Sequence, residues 1–125
     1  MIINAGTNDA NGNVDPNGAG SRLNDILNDL WAAAGMADTC IMVSTLIPTT
    51  DSTGSVNRLT INQKYRDVVT QRSGEGKCVY LAEMELDWWD FNADFDPSEA
   101  VHIHPNVRYF SIRGQRSELR FVNHV

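Results

Sequence analysis

Met1-Ile2-Ile3-Asn4-Ala5-Gly6-Thr7-Asn8-Asp9 is an apolar run that ends at a glycine and turn-forming polar residues. A short apolar stretch closed in this way reads as a buried strand that stops at a sharp turn. Two further runs have the same character. Cys40–Leu46 is closed by Pro48, and Cys78–Met84 is apolar at its centre. Between the first two, Thr7–Gly20 is a polar loop rich in Gly, Asn and Asp. It is followed by Leu23, Ile26, Leu27, Leu30, Trp31 and Ala34 at spacings of three and four. That spacing predicts an amphipathic helix with Ser21 as N-cap and Gly35 at its C-terminal stop. Between the second and third runs, Leu59, Tyr65, Val68 and Val69 mark another helix from Val56 to about Arg72, closed by Gly74 and Gly76. Strands alternating with helices predict an α/β fold with a parallel sheet and right-handed crossovers. Ligands of such sheets bind at the carboxyl ends of the strands. Gly6–Asp9, Pro48–Ser55 and the loop after Met84 all fall at that end.

The length of 125 residues suits one domain with a real core. No apolar run approaches the roughly 18 residues that span a bilayer, and Met1 leads straight into a strand without a signal-peptide pattern. The net charge of −6 argues against a nucleic-acid partner, which needs a basic footprint. The charge is unevenly placed. Residues 1–106 hold 15 acidic and 6 basic side chains, whereas 107–125 hold Arg108, Arg113, Arg116 and Arg120 against Glu118 alone. Cys40 and Cys78 open two strands expected to be parallel, so their sulfurs start at one end of the sheet. A disulfide and a pair of buried free thiols are both open; the thiols are the expectation, because adjacent parallel strands seldom suit the bridge.

Two patches carry chemistry. Gly6-Thr7-Asn8-Asp9 serves as a plain turn, yet an Asn amide at a strand tip is also the kind of fixed donor that stabilises an oxyanion. His102-Ile103-His104-Pro105-Asn106 supplies His104 as a candidate general base, with Pro105 set to start a helix. His102 and His104 form a His-x-His pair, but no third zinc ligand is identifiable. Asp9–Asp15 hints at a calcium loop without the EF-hand glycine and terminal Glu, and reads as a solvated loop. Glu83, Glu85, Asp87, Asp90, Asp94, Asp96 and Glu99 form a run without a basic residue, interleaved with Trp88, Trp89, Phe91 and Phe95. The run reads as a solvated loop anchored by aromatics or, with Trp88 and Trp89 exposed, as a sugar platform.

In this order the two patches resemble blocks three and five of the SGNH (GDSL-type) hydrolases, over residues 2 to about 106. Ser44-Thr45-Leu46-Ile47-Pro48, Asn62-Gln63-Lys64-Tyr65-Arg66 and Val79-Tyr80-Leu81-Ala82-Glu83-Met84 look like the carbohydrate esterase family 3 branch, which includes acetyl xylan esterases. The resemblance implies a three-layer α/β/α flavodoxin-like sandwich with a parallel sheet, here partial and lacking its first strand and helix. It implies a secreted, cofactor-free esterase acting on a carbohydrate ester. Asn8 would hold the oxyanion, Gly6 would allow the close approach, Asp9 would order the turn and His104 would take the proton. The family's Gly-Asp-Ser nucleophile lies upstream of block three, and this chain has no such motif, so the chain alone is expected to be inactive. Val101 stands where the family usually has the Asp that orients the base; Asp96 or Glu99 would have to substitute. After Asn106 the likeness stops, which divides the chain into a partial SGNH domain (1–106) and a C-terminal tail (107–125). Val107-Arg108-Tyr109 can be encoded with a eukaryotic 5′ splice consensus, and the tail is expected to be translated intron. A genomic acceptor downstream that restores Asp-x-Gly-Tyr would bear this out. The competing reading is a non-catalytic carbohydrate-binding or remnant module. A phosphate-binding domain fits poorly, since no Gly-rich loop follows a strand.

Overall fold

The computed structural model describes residues 1–86, 89–95, 98–99 and 121–122. Its elements run β1 (Ile2–Ile3), α1 (Thr7–Asn11), a 3-10 turn (Pro16–Gly18), α2 (Ala19–Ala32), β2 (Ile41–Ser44), α3 (Ser52–Gly74), β3 (Val79–Ala82), α4 (Phe91–Asp94) and β4 (Phe121–Val122). The sheet order is β1-β2-β3-β4. β1, β2 and β3 are parallel, in the register Ile3↔Val43 and Val43↔Leu81. β4 pairs antiparallel with β3, so the sheet is mixed where the sequence predicted a parallel one. An antiparallel edge on a parallel sheet is a common arrangement.

The alternation of strand and helix is therefore as read. Taking neighbouring strands in chain order with right-handed crossovers puts α2 and α3 on the same face of the sheet. Packing agrees: Leu23, Leu27 and Trp31 of α2 join Ile61, Tyr65, Val68 and Val69 of α3 over Ile41, Val43, Val79 and Leu81 in one buried cluster. Among the described residues this makes two layers, a sheet and one helical layer. The opposite face carries the register row Ile2–Met42–Tyr80, where successive side chains point away from the core.

Helix boundaries differ from the sequence reading, for local reasons. Asp15, not Ser21, begins the first long helical stretch: its carboxylate accepts from the Gly18 N–H (3.2 Å), and Pro16 follows it. The helix ends at Ala32, ahead of Gly35, so Ala34 lies outside it. Part of the expected loop is the short helix α1. Asp51 caps α3 by accepting from the Gly54 N–H, which converts the expected turn at Ser52–Ser55 into helix. The early start leaves Val56 and Leu59 exposed, while Ile61 and Asn62 are fully buried.

The expectation of two free, buried cysteines is overturned. Cys40 and Cys78 form a disulfide with Cα atoms 4.6 Å apart. The register Ile41↔Val79 places them opposite each other one residue before the ladder begins, where side chains are free to turn together. Cys40 is exposed and Cys78 half-buried.

β1 lies at an edge of the sheet, and Ile2 is 70% exposed. Such an edge is a template for pairing with another chain. The isolated chain is expected to self-associate, and Ile2→Lys to shift it toward monomer in sedimentation velocity. A wild-type chain that runs as a monodisperse, cooperatively melting monomer would refute this.

Candidate functional site

The rim at the carboxyl ends of the strands gathers the first predicted patch. Gly6 leaves β1 with φ 112°, a conformation that side chains with a Cβ rarely adopt. A Cβ at that position would also lie 2.8 Å from the Tyr65 hydroxyl. Tyr65 reaches from α3 to donate to the Ala5 carbonyl (3.0 Å). Burial pushes its phenol up from the ordinary value and the Asp9 charge adds to this, against Arg22, so the proton needed for that bond is held. Gly6→Ala is expected to cost about 2 kcal/mol, from the backbone strain and the contact with Tyr65. Urea unfolding would check it, and a midpoint unchanged from wild type would show that the turn relaxes freely.

Beyond Gly6, Asn8 sits exposed in α1, and its side chain has no hydrogen bond among the described residues. Asp9 faces Arg22 (3.7 Å). The same guanidinium contacts the Asp15 carboxylate (3.3 Å), the Val14 carbonyl (3.3 Å) and the Asp15 carbonyl (3.0 Å). The loop with a hint of calcium ligation is thus organised around an arginine. Asn13 and Asp15 adopt positive φ there, and Asn57 donates to the Ala10 carbonyl and to Asn13 Oδ1 (both 3.0 Å). Among the described residues, no group of three or more His, Cys, Asp or Glu side chains could hold a metal ion.

Next to this turn, a small cleft of about 10 Å³ opens between α1 and the β2–α3 loop, with Thr7, Asn11, Pro48, Thr49 and Arg58 in its wall. Arg58 leads from it into a polar network that sequence reasoning missed. Its guanidinium pairs with Glu85 (2.9 Å). Arg66 binds Glu83 through Nε and Nη2 (2.9 and 2.8 Å) and Glu85 through Nη2 (2.9 Å). Asn62 Oδ1 accepts from the Leu46 N–H (2.6 Å), while its Nδ2 donates to the Leu46 carbonyl (3.1 Å) and to Glu85 (2.8 Å). Thr45 donates to Glu83 (2.8 Å) and accepts from the Met84 N–H (2.7 Å). Burial works to raise the Glu83 carboxyl, but the Arg66 guanidinium and the Thr45 hydroxyl outweigh it and hold it below the usual range. The signal was present: residues 58, 62 and 66 recur at four-residue spacing on one helix face, opposite two glutamates two apart on extended chain.

The remaining predicted residues are placed unevenly. His104, with His102, Val101 and Asp96, lies outside the described residues, as do Trp88 and the boundary at 106/107. Glu99 is half-buried and has an interaction of its own. Trp89, expected as half of a sugar platform, is only 9% exposed. Its Nε1 donates to the Met84 carbonyl (2.9 Å) and its ring packs on Phe95, 5.5 Å between centroids. It anchors its loop rather than offering an open ring face. Ser44 is buried and donates to the Thr45 carbonyl (3.0 Å), while Ser52 and Ser55 belong to the first turn of α3. Among the described residues, no base stands beside any of these three hydroxyls.

No protein-family profile, curated protein or solved structure matches this chain.

Proposed function

We propose that this chain carries the oxyanion and base elements of an SGNH-type carboxylic ester hydrolase that deacetylates a carbohydrate. The observation that supports the reading is the Gly6 turn. A left-handed glycine at the carboxyl end of β1 presents an exposed Asn8 amide on the rim, beside a cleft. In the proposed reaction a serine supplied from outside these 125 residues attacks the ester carbonyl, and His104 takes its proton. The Asn8 amide, with backbone N–H groups, stabilises the tetrahedral oxyanion; its collapse expels the sugar oxygen, which takes the proton from His104, and leaves an acetyl-serine that water, deprotonated by His104, attacks to release acetate and restore the serine.

Sequencing the transcript across both ends of this segment, and assaying its product on acetylated xylan, tests the reading. A Gly-Asp-Ser block encoded upstream, hydrolysis by that product and none by the 125-residue chain are expected. Within the active product, Asn8→Ala is expected to lower kcat by about 10²–10³ with little change in KM, the pattern of a group acting in the transition state. A transcript without the block, whose product leaves acetylated xylan intact, refutes the reading.

A further inference from the structure

At the amino ends of the strands, on the rim opposite Asn8, an open cleft of about 440 Å³ falls within the roughly 300–1,000 Å³ usual for small-molecule sites. The turn before β2 gives Ala37, Asp38 and Cys40 to its wall, and the turn before β3 gives Glu75, Gly76, Lys77 and Cys78. The two cysteines are the bridged pair, so a disulfide stands in the wall of this cleft. The group that reacts with a disulfide sulfur is a thiolate. The charges around the bridge are of both signs. The Glu75 carboxylate is taken up by Arg72 (3.3 Å). Asp38 is exposed and makes no ion pair among the described residues. The exposed Lys77 makes none there either, and its ammonium rests 5.1 Å from the centre of the Trp31 ring. A ligand that answers both charges carries a carboxylate and an ammonium. The two ends of the bridge also differ. Cys40 is exposed and Cys78 half-buried, and the Tyr80 hydroxyl lies 3.8 Å from Cys78 Sγ. A bridged sulfur has no hydrogen, so the hydroxyl is the donor. A donor at that place favours Cys78 as the sulfur that leaves with the negative charge.

We propose that this cleft is a docking and modification site for a small thiol of the cysteinyl-peptide class, which exchanges with the Cys40–Cys78 bridge. The ligand's carboxylate pairs with Lys77 and its ammonium with Asp38. Its thiolate attacks Cys40 Sγ; the new S–S bond forms as the Cys40–Cys78 bond breaks, and Cys78 leaves as a thiolate that takes a proton from water. A second thiol then attacks the ligand sulfur of the mixed disulfide, which frees Cys40 and carries away the oxidised ligand. Two thiols thus lose the two electrons that the bridge gains. None of this rests on the ester-hydrolase reading.

The test follows exchange on the 125-residue chain with glutathione and, as an uncharged control, 2-mercaptoethanol at equal thiolate concentrations. An N-ethylmaleimide quench caps the released thiol, and peptide mass spectrometry locates both groups. Glutathione on Cys40 with the cap on Cys78 is expected, at a rate that saturates with glutathione and rises linearly with 2-mercaptoethanol. Asp38→Asn with Lys77→Gln is expected to slow subsaturating glutathione about tenfold, the loss of two exposed ion pairs, and to leave 2-mercaptoethanol unchanged. A linear glutathione dependence overturns the proposal. So does an equal effect of the double variant on both thiols, and so does an adduct chiefly on Cys78. Should the double variant fail to fold, saturation and adduct position in the wild-type chain decide.

Discussion

Reduction of the Cys40–Cys78 bridge, or Cys40→Ser with Cys78→Ser, is expected to remove about 4 kcal/mol of stability. The bridge joins residues 38 apart in sequence. In the chain-entropy picture, closing a loop of that size restricts the unfolded chain by roughly this amount. Against the entropy of unfolding usual for a domain of this length, the loss lowers the melting temperature by roughly 15 °C. The position adds a local consequence. The bridge ties the starts of β2 and β3, and the Met1 ammonium donates to the Cys40 carbonyl (3.1 Å). β1 has only two residues in the ladder, so its pairing is expected to loosen first. Exposure of Cys40 gives a reductant direct access. Thermal melts with and without dithiothreitol, beside hydrogen exchange at Ile2 and Ile3, check both points. Two alkylatable thiols in the unreduced, denatured chain would sink the prediction, as would identical melts after confirmed reduction.

How much of this was legible in the sequence depends on which interactions decide each element. Strands β2 and β3 and most of the buried faces of α2 and α3 follow from apolar spacing, because hydrophobic burial selects them and burial is what periodicity records; Ile26 and Leu59, read onto those faces, are exposed. The turn at Gly6 was legible for a similar reason, since a glycine closing an apolar run has few other uses. α1 was not. Thr7–Asn11 is polar except for the buried Ala10, and it is held by contacts from elsewhere: Asn57 on the Ala10 carbonyl, and Arg22 on Asp9. The disulfide was read the wrong way because the general rule for adjacent parallel strands concerns ladder interiors, and these cysteines sit one residue outside. Trp89 shows the limit of composition. A Trp among carboxylates reads equally as platform or anchor, and only the Met84 carbonyl and the Phe95 ring choose between them.

Asn62→Ala is expected to be among the most damaging single substitutions, at about 3–4 kcal/mol. Asn62 is fully buried, and it satisfies both the N–H and the carbonyl of Leu46, just past the end of β2. Truncation leaves two main-chain groups unpaired in the interior, each costing about 1–3 kcal/mol, and takes a donor from Glu85. Asn62→Leu, which fills the volume, is expected to rescue little, because packing is not what the position supplies. A Leu variant as stable as wild type would show that water reaches Leu46 and that the network is dispensable. The same network sets the acid limit of the fold. The folded-state Glu83 carboxyl is held below its ordinary value. Its stabilising contribution is therefore complete above the unfolded value of about 4.3 and is lost as pH falls from there through the lower native value. Arg66→Met removes the guanidinium and leaves burial to push the carboxyl the other way, so acid unfolding is expected to begin at higher pH than in wild type. An acid midpoint unmoved by Arg66→Met would mean that the ion pair does not hold Glu83 ionised, and that the α3–β3 junction rests on Asn62, Thr45 and the Arg58–Glu85 pair.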